Sequence, residues 1–214
     1  MFSQTRLAVA IAAAAMISGS GAAAEGPVFS FGALVTSDII RSGDTLTGHR
    51  PGAVITTEAE VSGFFAGLEL LTLRGGADSW QAEVSLGYRW AMEPAGFEFG
   101  IARVRADDSG WGDTEVFGSV EFALGERTTV GLGAAYAPRP REWTDVSLTV
   151  SHDLTDRFGL SATLGRYPAG GLDFGDVGVS YAVTDQVAFD LRYHRSRAIG
   201  SRVAASLVFA LGGN

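Results

Sequence analysis

The feature that most constrains the fold of this chain is an alternation of apolar and polar residues that recurs in segments of about ten residues. In 80–90, for example, Trp80, Val84 and Tyr88 share one side of an extended chain, whereas Gln81 and Arg89 share the other. Successive side chains of a β-strand point to opposite faces, so this period of two predicts strands with one apolar face. No stretch after residue 24 has the 18 or so uninterrupted apolar residues of a membrane-spanning helix.

Twelve segments of this kind are found along the chain, and turn residues separate them. They are residues 28–37, 53–61, 64–73, 80–90, 96–105, 114–124, 128–136, 142–152, 158–167, 173–182, 187–195 and 202–211. Short and longer connections alternate between them, as the periplasmic turns and extracellular loops of membrane barrels do. The alternation in 96–105 fails after Ile101, which suggests a β-bulge there. The predicted fold class is an all-β, antiparallel transmembrane β-barrel of about 12 strands, with 10 strands as the alternative.

Aromatic residues near the strand ends match the girdles that membrane barrels carry at both interfaces. The outer rim is predicted at Trp80, Tyr136 and Tyr193, and the inner rim at Phe64, Tyr88, Trp90, Phe97, Phe158 and Tyr181. A soluble β-sandwich would show the same alternation, because one face of each sheet forms a shared core. A sandwich gives no reason for aromatic residues at the rims, so the barrel is preferred.

The N-terminus has the three parts of a secretory signal peptide. Arg6 precedes an apolar run at 7–17, and the small residues Ala22, Ala23 and Ala24 precede Glu25. The alternative is a membrane anchor, but the run is shorter than the roughly 20 residues that span a bilayer. We therefore predict a signal peptide at 1–24 and an outer-membrane barrel at 25–214, with the signal peptide removed and both termini in the periplasm.

Composition excludes several classes of function. The chain has no cysteine, so disulfides and thiolate metal sites are ruled out. Its net charge is −8, which argues against a nucleic-acid partner. The three histidines, His49, His152 and His194, are far apart in sequence, so neither a metal site nor a cofactor is expected.

One hairpin resembles a known family. The run Thr36-Ser37-Asp38, then Arg41, Pro51 and the segment Gly63-Phe64-Phe65-Ala66-Gly67 resemble the TorF-type porin family of proteobacterial outer-membrane proteins. Ile39 and Arg41-Ser42 depart from the aromatic residue and the Arg-Gly pair of that family. The chain ends in Leu211-Gly212-Gly213-Asn214 rather than in a terminal aromatic residue. The resemblance implies an outer-membrane pore that the barrel-assembly machinery inserts, with Phe209 in place of the terminal aromatic.

Charged residues on the polar strand faces are expected to line the lumen, because a charge facing lipid at mid-depth costs about 2–4 kcal/mol for a base. The residues predicted to set selectivity are Glu58, Glu60, Glu69, Glu83, Arg89, Glu121, Asp190 and Arg192, and Glu98, Asp145 and Asp176 share their face. Carboxylates outnumber arginines in this set. The predicted function is passive diffusion of small polar solutes or ions, with a preference for cations. The alternative is a structural barrel whose lumen is plugged by paired charges.

Arginines are also frequent at the predicted extracellular ends, where lipopolysaccharide phosphates would match the guanidinium geometry. The predicted lipid contacts are Arg74, Arg139, Arg141, Arg195 and Arg197, and Arg41 is assigned to the same end of the barrel. The alternative is solvated loop charge.

An enzyme is not expected. His194 and Ser196 resemble the His-x-Ser pair of the outer-membrane lipid A deacylases, but no acidic residue follows Asp190 to orient the base. A structural or adhesion barrel would need long extracellular loops, and the longest predicted connection is 38–52.

Overall fold

A computed structural model describes residues 26–212, so the predicted signal peptide lies outside the described residues. The described chain contains only β-strands and their connections. The strands are β1 (Val28–Thr36), β2 (Ile40–Arg41), β3 (Asp44–Thr45), β4 (Gly52–Val61), β5 (Phe64–Thr72), β6 (Trp80–Met92), β7 (Ala95–Ala106), β8 (Gly110–Ala123), β9 (Thr128–Ala137), β10 (Glu142–Asp153), β11 (Phe158–Tyr167), β12 (Leu172–Thr184), β13 (Val187–Ser196) and β14 (Gly200–Gly212). Among residues 26–212 no helix is long and apolar enough to cross a membrane.

Twelve of these strands form a closed antiparallel barrel, which confirms the predicted fold class and strand number. Each long strand pairs with its neighbours in sequence, and β1 closes the ring by pairing with both β4 and β14. The short strands β2 and β3 pair only with each other. Ser62 and Gly63 join β4 to β5 with positive φ angles of 51° and 84°, the geometry of a type I′ hairpin turn.

The two faces of the barrel differ in chemistry. Large apolar side chains on the outer face are among the most exposed of the chain, such as Phe29 at 61% and Leu164 at 67%. Aromatic pairs form at the end with the short turns, where the ring centroids of Trp90 and Phe97 lie 4.9 Å apart and nearly parallel. An apolar belt that ends in aromatic pairs is the arrangement that lipid contact requires.

Strand β7 differs in one respect from the prediction. The alternation continues to its end, with Ala102, Val104 and Ala106 less exposed than their neighbours Arg103 and Arg105. The bulge lies on the partner strand β8, because Arg103 pairs with residue 114 and Arg105 with residue 111. The two arginines therefore occupy outward positions that are apolar elsewhere on the strand.

Candidate functional site in the barrel lumen

The connection between β1 and β4 folds into the barrel, which corrects its prediction as an extracellular loop over 38–52. Strands β2 and β3 form a small hairpin whose turn residues, Ser42 and Gly43, have φ angles of 43° and 79°. Positive φ at both positions is typical of a two-residue type I′ turn. We call residues 38–50 the inner hairpin.

The base of the inner hairpin is fixed by apolar packing. Ile39 forms a buried cluster with Val54 and Leu71, and Leu34, Leu46 and Leu73 pack against it. These residues belong to β1, β4, β5 and the hairpin itself, so the hairpin lies along the wall from which it emerges. Burial of this apolar surface is the main contribution that holds the hairpin inside the lumen.

The carboxylate of Asp38 organises the hairpin from within. Thr45 and Thr47 donate hydroxyl hydrogen bonds to its Oδ1 at 2.6 Å and 2.8 Å, and His49 Nδ1 lies 2.9 Å from its Oδ2. Thr47 Oγ1 also accepts a hydrogen bond of 3.0 Å from the backbone N–H of Ile39. Because Thr47 is fully buried, these bonds satisfy polar groups that have no access to water.

The tip of the inner hairpin reaches the opposite wall. Ser42 Oγ donates to Asp145 Oδ2 on β10 at 3.1 Å, and Ser196 Oγ on β13 donates to the carbonyl oxygen of Gly43. A Cβ atom on Gly43 would lie 2.5 Å from Phe174 Cβ and 2.9 Å from Ser196 Cβ. The tip therefore crosses the lumen and fits against β12 and β13 only because residue 43 is a glycine.

Arg41 corrects a second prediction, because it does not lie at the extracellular surface. Its side chain is buried and its Nη2 pairs with Glu69 Oε1 on β5. This ion pair ties the hairpin to the wall of the lumen and neutralises one of the predicted selectivity residues.

Deeper in the lumen, Arg89 on β6 is surrounded by three carboxylates. Its Nη2 is 2.8 Å from Glu58 Oε2, its Nη1 is 3.1 Å from Glu60 Oε2, and its Nε is 2.6 Å from Glu98 Oε2. The guanidinium also lies 4.1 Å from the ring centroid of Phe65. One arginine against three carboxylates leaves this cluster with a net negative charge.

Arg192 on β13 forms a second cluster. It pairs with Asp176, and its Nη2 lies 3.2 Å from Asp190 Oδ2 and donates to Ser161 Oγ at 2.8 Å. Its partners stand on β11, β12 and β13, so the cluster braces three strands of one wall. Two carboxylates again face one guanidinium.

The inner wall carries all of the predicted selectivity residues, and Glu115 on the wall and Arg41 in the inner hairpin add to the charge of the lumen. All of Glu58, Glu60, Glu69, Glu83, Arg89, Glu121, Asp190 and Arg192 occupy inward positions, as do Glu98, Asp145 and Asp176. Glu115 and Arg41 are absent from the predicted lumen set, and Arg41 is predicted at the extracellular end instead. Glu115 lies an even number of residues before Glu121 on β8 and therefore on the same face of the strand, so the alternation could have identified it. Arg41 lies in a connection, where no periodic signal exists.

Two cavities flank the inner hairpin. The first, of about 190 Å³, lies between the hairpin and the wall that carries Arg192, and it is lined by Asp145, Asp176, Asp190, Ser147 and Thr149 among others. The second, of about 620 Å³, lies between the hairpin and strands β6 to β9 and is lined by Gln81, Glu115 and Asp113. Both cavities have mixed polar and apolar walls, and their carboxylates and hydroxyl groups offer hydrogen-bond partners to water and small polar solutes.

The arginines predicted to contact lipid are all exposed, but they lie on different parts of the rim. Arg74 follows β5 and lines the larger cavity. Arg139 and Arg141 lie between β9 and β10, Arg195 lies on β13 and Arg197 lies after it. The structure therefore does not gather them into one site.

The histidine and serine of the enzyme hypothesis both belong to the lumen. His194 is buried on the inner face of β13, and Ser196 donates its hydroxyl to the inner hairpin. Within residues 26–212 no group of three or more metal-ligating side chains is present.

Comparisons with known proteins identify the fold. No family model matches the chain, and no curated protein matches its sequence. A KdgM porin in complex with disordered oligogalacturonate is similar in structure, with a TM-score of 0.62 and 9% identity over 85% of this chain and 98% of that one. The NanC porin is similar with a TM-score of 0.58 and 10% identity, over 87% of this chain and all of the other. At this identity the likeness concerns the fold alone, and membership of the TorF-type family stays a prediction. The chain shares the barrel fold of the KdgM and NanC porins.

Proposed function

We propose that this protein is an outer-membrane channel for passive diffusion of small polar solutes or ions, with a preference for cations. The observation that carries the proposal is the contrast between an exposed apolar outer belt and an inner wall of acidic and basic side chains, with cavities on both sides of the inner hairpin. A soluble protein would bury its apolar face and expose its polar one. In this barrel the arrangement is reversed, as lipid outside and water inside require.

The location follows from the same arrangement. A closed barrel satisfies every backbone hydrogen bond without water, and this makes strands compatible with the bilayer interior. Both described ends of the chain lie at the end of the barrel with the short turns, since Val28 pairs with Glu60 and Ser30 with Gly212. This end is the periplasmic one in our proposal, the barrel-assembly machinery inserts the mature chain, and the outer belt contacts outer-membrane lipids and lipopolysaccharide.

The sign of the charge in the lumen supports cation preference. Inward carboxylates outnumber the inward arginines Arg41, Arg89 and Arg192, and each of these arginines is paired with at least one carboxylate. A low-dielectric wall with an excess of one charge concentrates the opposite ion. The related fold in the KdgM complex was found with oligogalacturonate, a polyanion. The carboxylate excess of this chain would repel such a solute, so we propose small cations, zwitterions or neutral polar molecules instead.

Reversal potentials across a planar bilayer with a salt gradient test the proposal. The native protein should favour cations at about 0.01 M salt, where the Debye length is about 30 Å, and the preference should fade near 1 M. Replacing Glu58, Glu60 and Glu83 together with glutamine should reduce the preference at similar side-chain volume. A matched control replaces Glu126, Asp156 and Asp185, carboxylates of the short turns, with the corresponding amides and should change it little.

Two results would contradict parts of this proposal. Anion preference in the native protein would mean that arginines rather than carboxylates govern the narrowest part of the lumen. Absence of conductance in a verified folded barrel would favour the second candidate, a structural barrel that the inner hairpin closes. The observation that supports this second candidate is that the hairpin contacts the lumen wall on two sides, through Arg41 with Glu69 on β5 and through its tip with Asp145 on β10 and Ser196 on β13.

A further inference from the structure

Two arginines on the outer face of the barrel flank one tryptophan. The guanidinium carbons of Arg103 and Arg105 on β7 lie 5.2 Å and 5.7 Å from the ring centroid of Trp111 on β8. All three side chains are exposed, and the indole is 51% accessible. The Nε of Arg103 donates to the carbonyl oxygen of Gly112 at 3.1 Å, which fixes the plane of the guanidinium. Its two terminal nitrogens have no hydrogen-bond partner among residues 26–212.

These arginines differ from the charged residues of the lumen because they have no anionic partner. Arg41, Arg89 and Arg192 each form ion pairs, and the outward Arg166 on β11 lies 3.6 Å from Asp173. Within residues 26–212, neither Arg103 nor Arg105 lies within ion-pair distance of a carboxylate. The outward pair of positive charges is therefore available to an anion from outside the protein.

The position of the pair identifies the source of that anion. Arg103 and Arg105 follow Phe99 and Ile101 on the same face, and these two apolar side chains are 54% and 47% exposed. Both arginines lie within the last four residues of β7, at the end of the barrel where the longer connections lie. A charge on the lipid face costs about 0–1 kcal/mol near the interface and more at the midplane. Tryptophan is also enriched at this level. The pair thus lies where the apolar belt meets the headgroups of the outer leaflet.

We propose that Arg103, Arg105 and Trp111 form a binding site for a phosphate group of lipopolysaccharide on the outer wall of the barrel. The two guanidinium groups donate hydrogen bonds to the phosphate oxygens. Arginine commonly binds phosphate in this way, with two parallel N–H···O bonds from one guanidinium group. The indole keeps both guanidinium groups on one side by cation–π contact and covers the adjoining apolar part of the lipid. This site differs from the rim arginines predicted from the sequence, and it does not depend on whether the lumen conducts.

Native mass spectrometry of the folded full-length mature protein tests the site, with lipid A as the probe. Bisphosphorylated lipid A should remain bound to the native protein, and lipid A with both phosphates removed should bind at least about tenfold more weakly, as expected for the loss of one charge-assisted hydrogen bond. The double variant Arg103→Gln with Arg105→Gln should lose the bisphosphorylated adduct to a similar extent. The control Arg166→Gln removes an outward arginine that already has a carboxylate partner, and it should retain the adduct.

The outcomes decide the proposal in either direction. Equal binding of the two lipids by the native protein would overturn the proposal. This comparison needs no variant, so it tests the proposal even when the double variant does not fold. Equal loss in Arg166→Gln and in the double variant would also overturn it, because general surface charge would then explain the binding. Conductance should be the same in the double variant and in the native protein, since both arginines face away from the lumen.

Discussion

Replacing Gly43 with alanine should release the tip of the inner hairpin from the far wall. Residue 43 has a φ of 79°, and the added Cβ would lie 2.5 Å from Phe174 Cβ and 2.9 Å from Ser196 Cβ. Both contacts are far shorter than the 3.5–4.0 Å of ordinary carbon contacts. The clash involves the first side-chain atoms of two barrel strands, which cannot rotate away, so the hairpin must move.

The magnitude follows from what the movement breaks. The left-handed conformation costs an alanine about 1–2 kcal/mol. Withdrawal of the tip loses the bond from Ser42 to Asp145 and the bond from Ser196 to the carbonyl oxygen of Gly43, each worth about 0.5–1.5 kcal/mol. Together these bonds hold the docked tip by about 2 kcal/mol, so the tip leaves the wall because the contacts of the added Cβ with Phe174 and Ser196 cost the docked state more than this. The apolar cluster around Ile39 keeps the base of the hairpin in place.

The absence of cysteine from the chain makes the assay direct. A cysteine introduced by Ile40→Cys, at a buried position of β2 next to the tip, should react slowly with a water-soluble maleimide and clearly faster when Gly43→Ala is added. The control is Gly171→Ala, since residue 171 has a φ of 61° and open space around its Cβ position. It carries the same backbone strain without a clash. Equal labelling rates in all three backgrounds would refute the reasoning, because the hairpin would then not depend on the fit of residue 43.

Three further changes have defined outcomes. Arg89→Gln removes the partner of Glu58, Glu60 and Glu98 and should destabilise the barrel by about 1–3 kcal/mol, a range that allows for the 35% exposure of the arginine side chain. The temperature at which gel migration changes should fall in this variant. Adding Glu60→Gln should recover part of the lost stability. The Ser79 hydroxyl, which donates to Asp107 in the connection after β7, lowers the pKa of Asp107 to about 2, and the Ser109 hydroxyl likewise lowers the pKa of Asp78. A carboxyl group whose pKa is lower in the folded protein than in the unfolded chain stabilises the fold at pH values above the unfolded pKa, which is near 3.9. Proteolytic protection of the 73–79 and 107–109 connections should therefore persist below pH 4 and be lost only as the pH approaches 2, whereas Asp107→Asn should lower the protection at pH 7. Ser196→Ala and His194→Ala should leave the acylation of lipid A unchanged in cells, and loss of one acyl chain that depends on these residues would restore the enzyme hypothesis.

The strands could be predicted because their signal is local. A strand of period two has only two possible faces, and shifting the register by one residue would turn every apolar side chain inward. The alternation of side chains along the strands is therefore enough to place Glu58, Glu60 and Arg89 on the lumen side of the wall without knowledge of their contacts. The turns are equally local, as Ser62 and Gly63 show with their positive φ angles.

The inner hairpin could not be predicted because its contacts are distant in sequence. Arg41 pairs with a residue 28 positions away, Ser42 with one 103 positions away, and Gly43 with one 153 positions away. Nothing in the segment itself distinguishes a hairpin that enters the lumen from one that extends into solvent. The misjudged end of β7 has a different cause. Arg103 and Arg105 occupy outward positions that are apolar elsewhere on the strand, so the two charged residues hide an alternation that continues to the end of β7.

In the proposed channel, the inner hairpin and the Arg89 cluster lie at different depths of the lumen. The inner hairpin contacts Glu69 and Asp145, each three residues from the end of its strand on the side of the longer connections. The cluster around Arg89 lies toward the opposite end, because Glu60 is next to the last residue of β4. The pairing of Arg41 with Glu69 neutralises one carboxylate at the hairpin level, where Asp145, Asp176 and Asp190 still line the cavity beside the hairpin. The Arg89 cluster keeps an excess of carboxylates of its own.

Conductance and charge selectivity should therefore separate by mutation. Gly43→Ala should raise the single-channel conductance and leave the reversal potential at low salt nearly unchanged, because it widens the passage without removing a charged group. Glu58→Gln combined with Glu60→Gln should do the reverse, since it removes charge at similar volume and leaves Arg89 paired with Glu98. If both variants changed conductance and reversal potential in parallel, a single constriction would control size and charge together, and the hairpin and the Arg89 cluster would not act at separate levels.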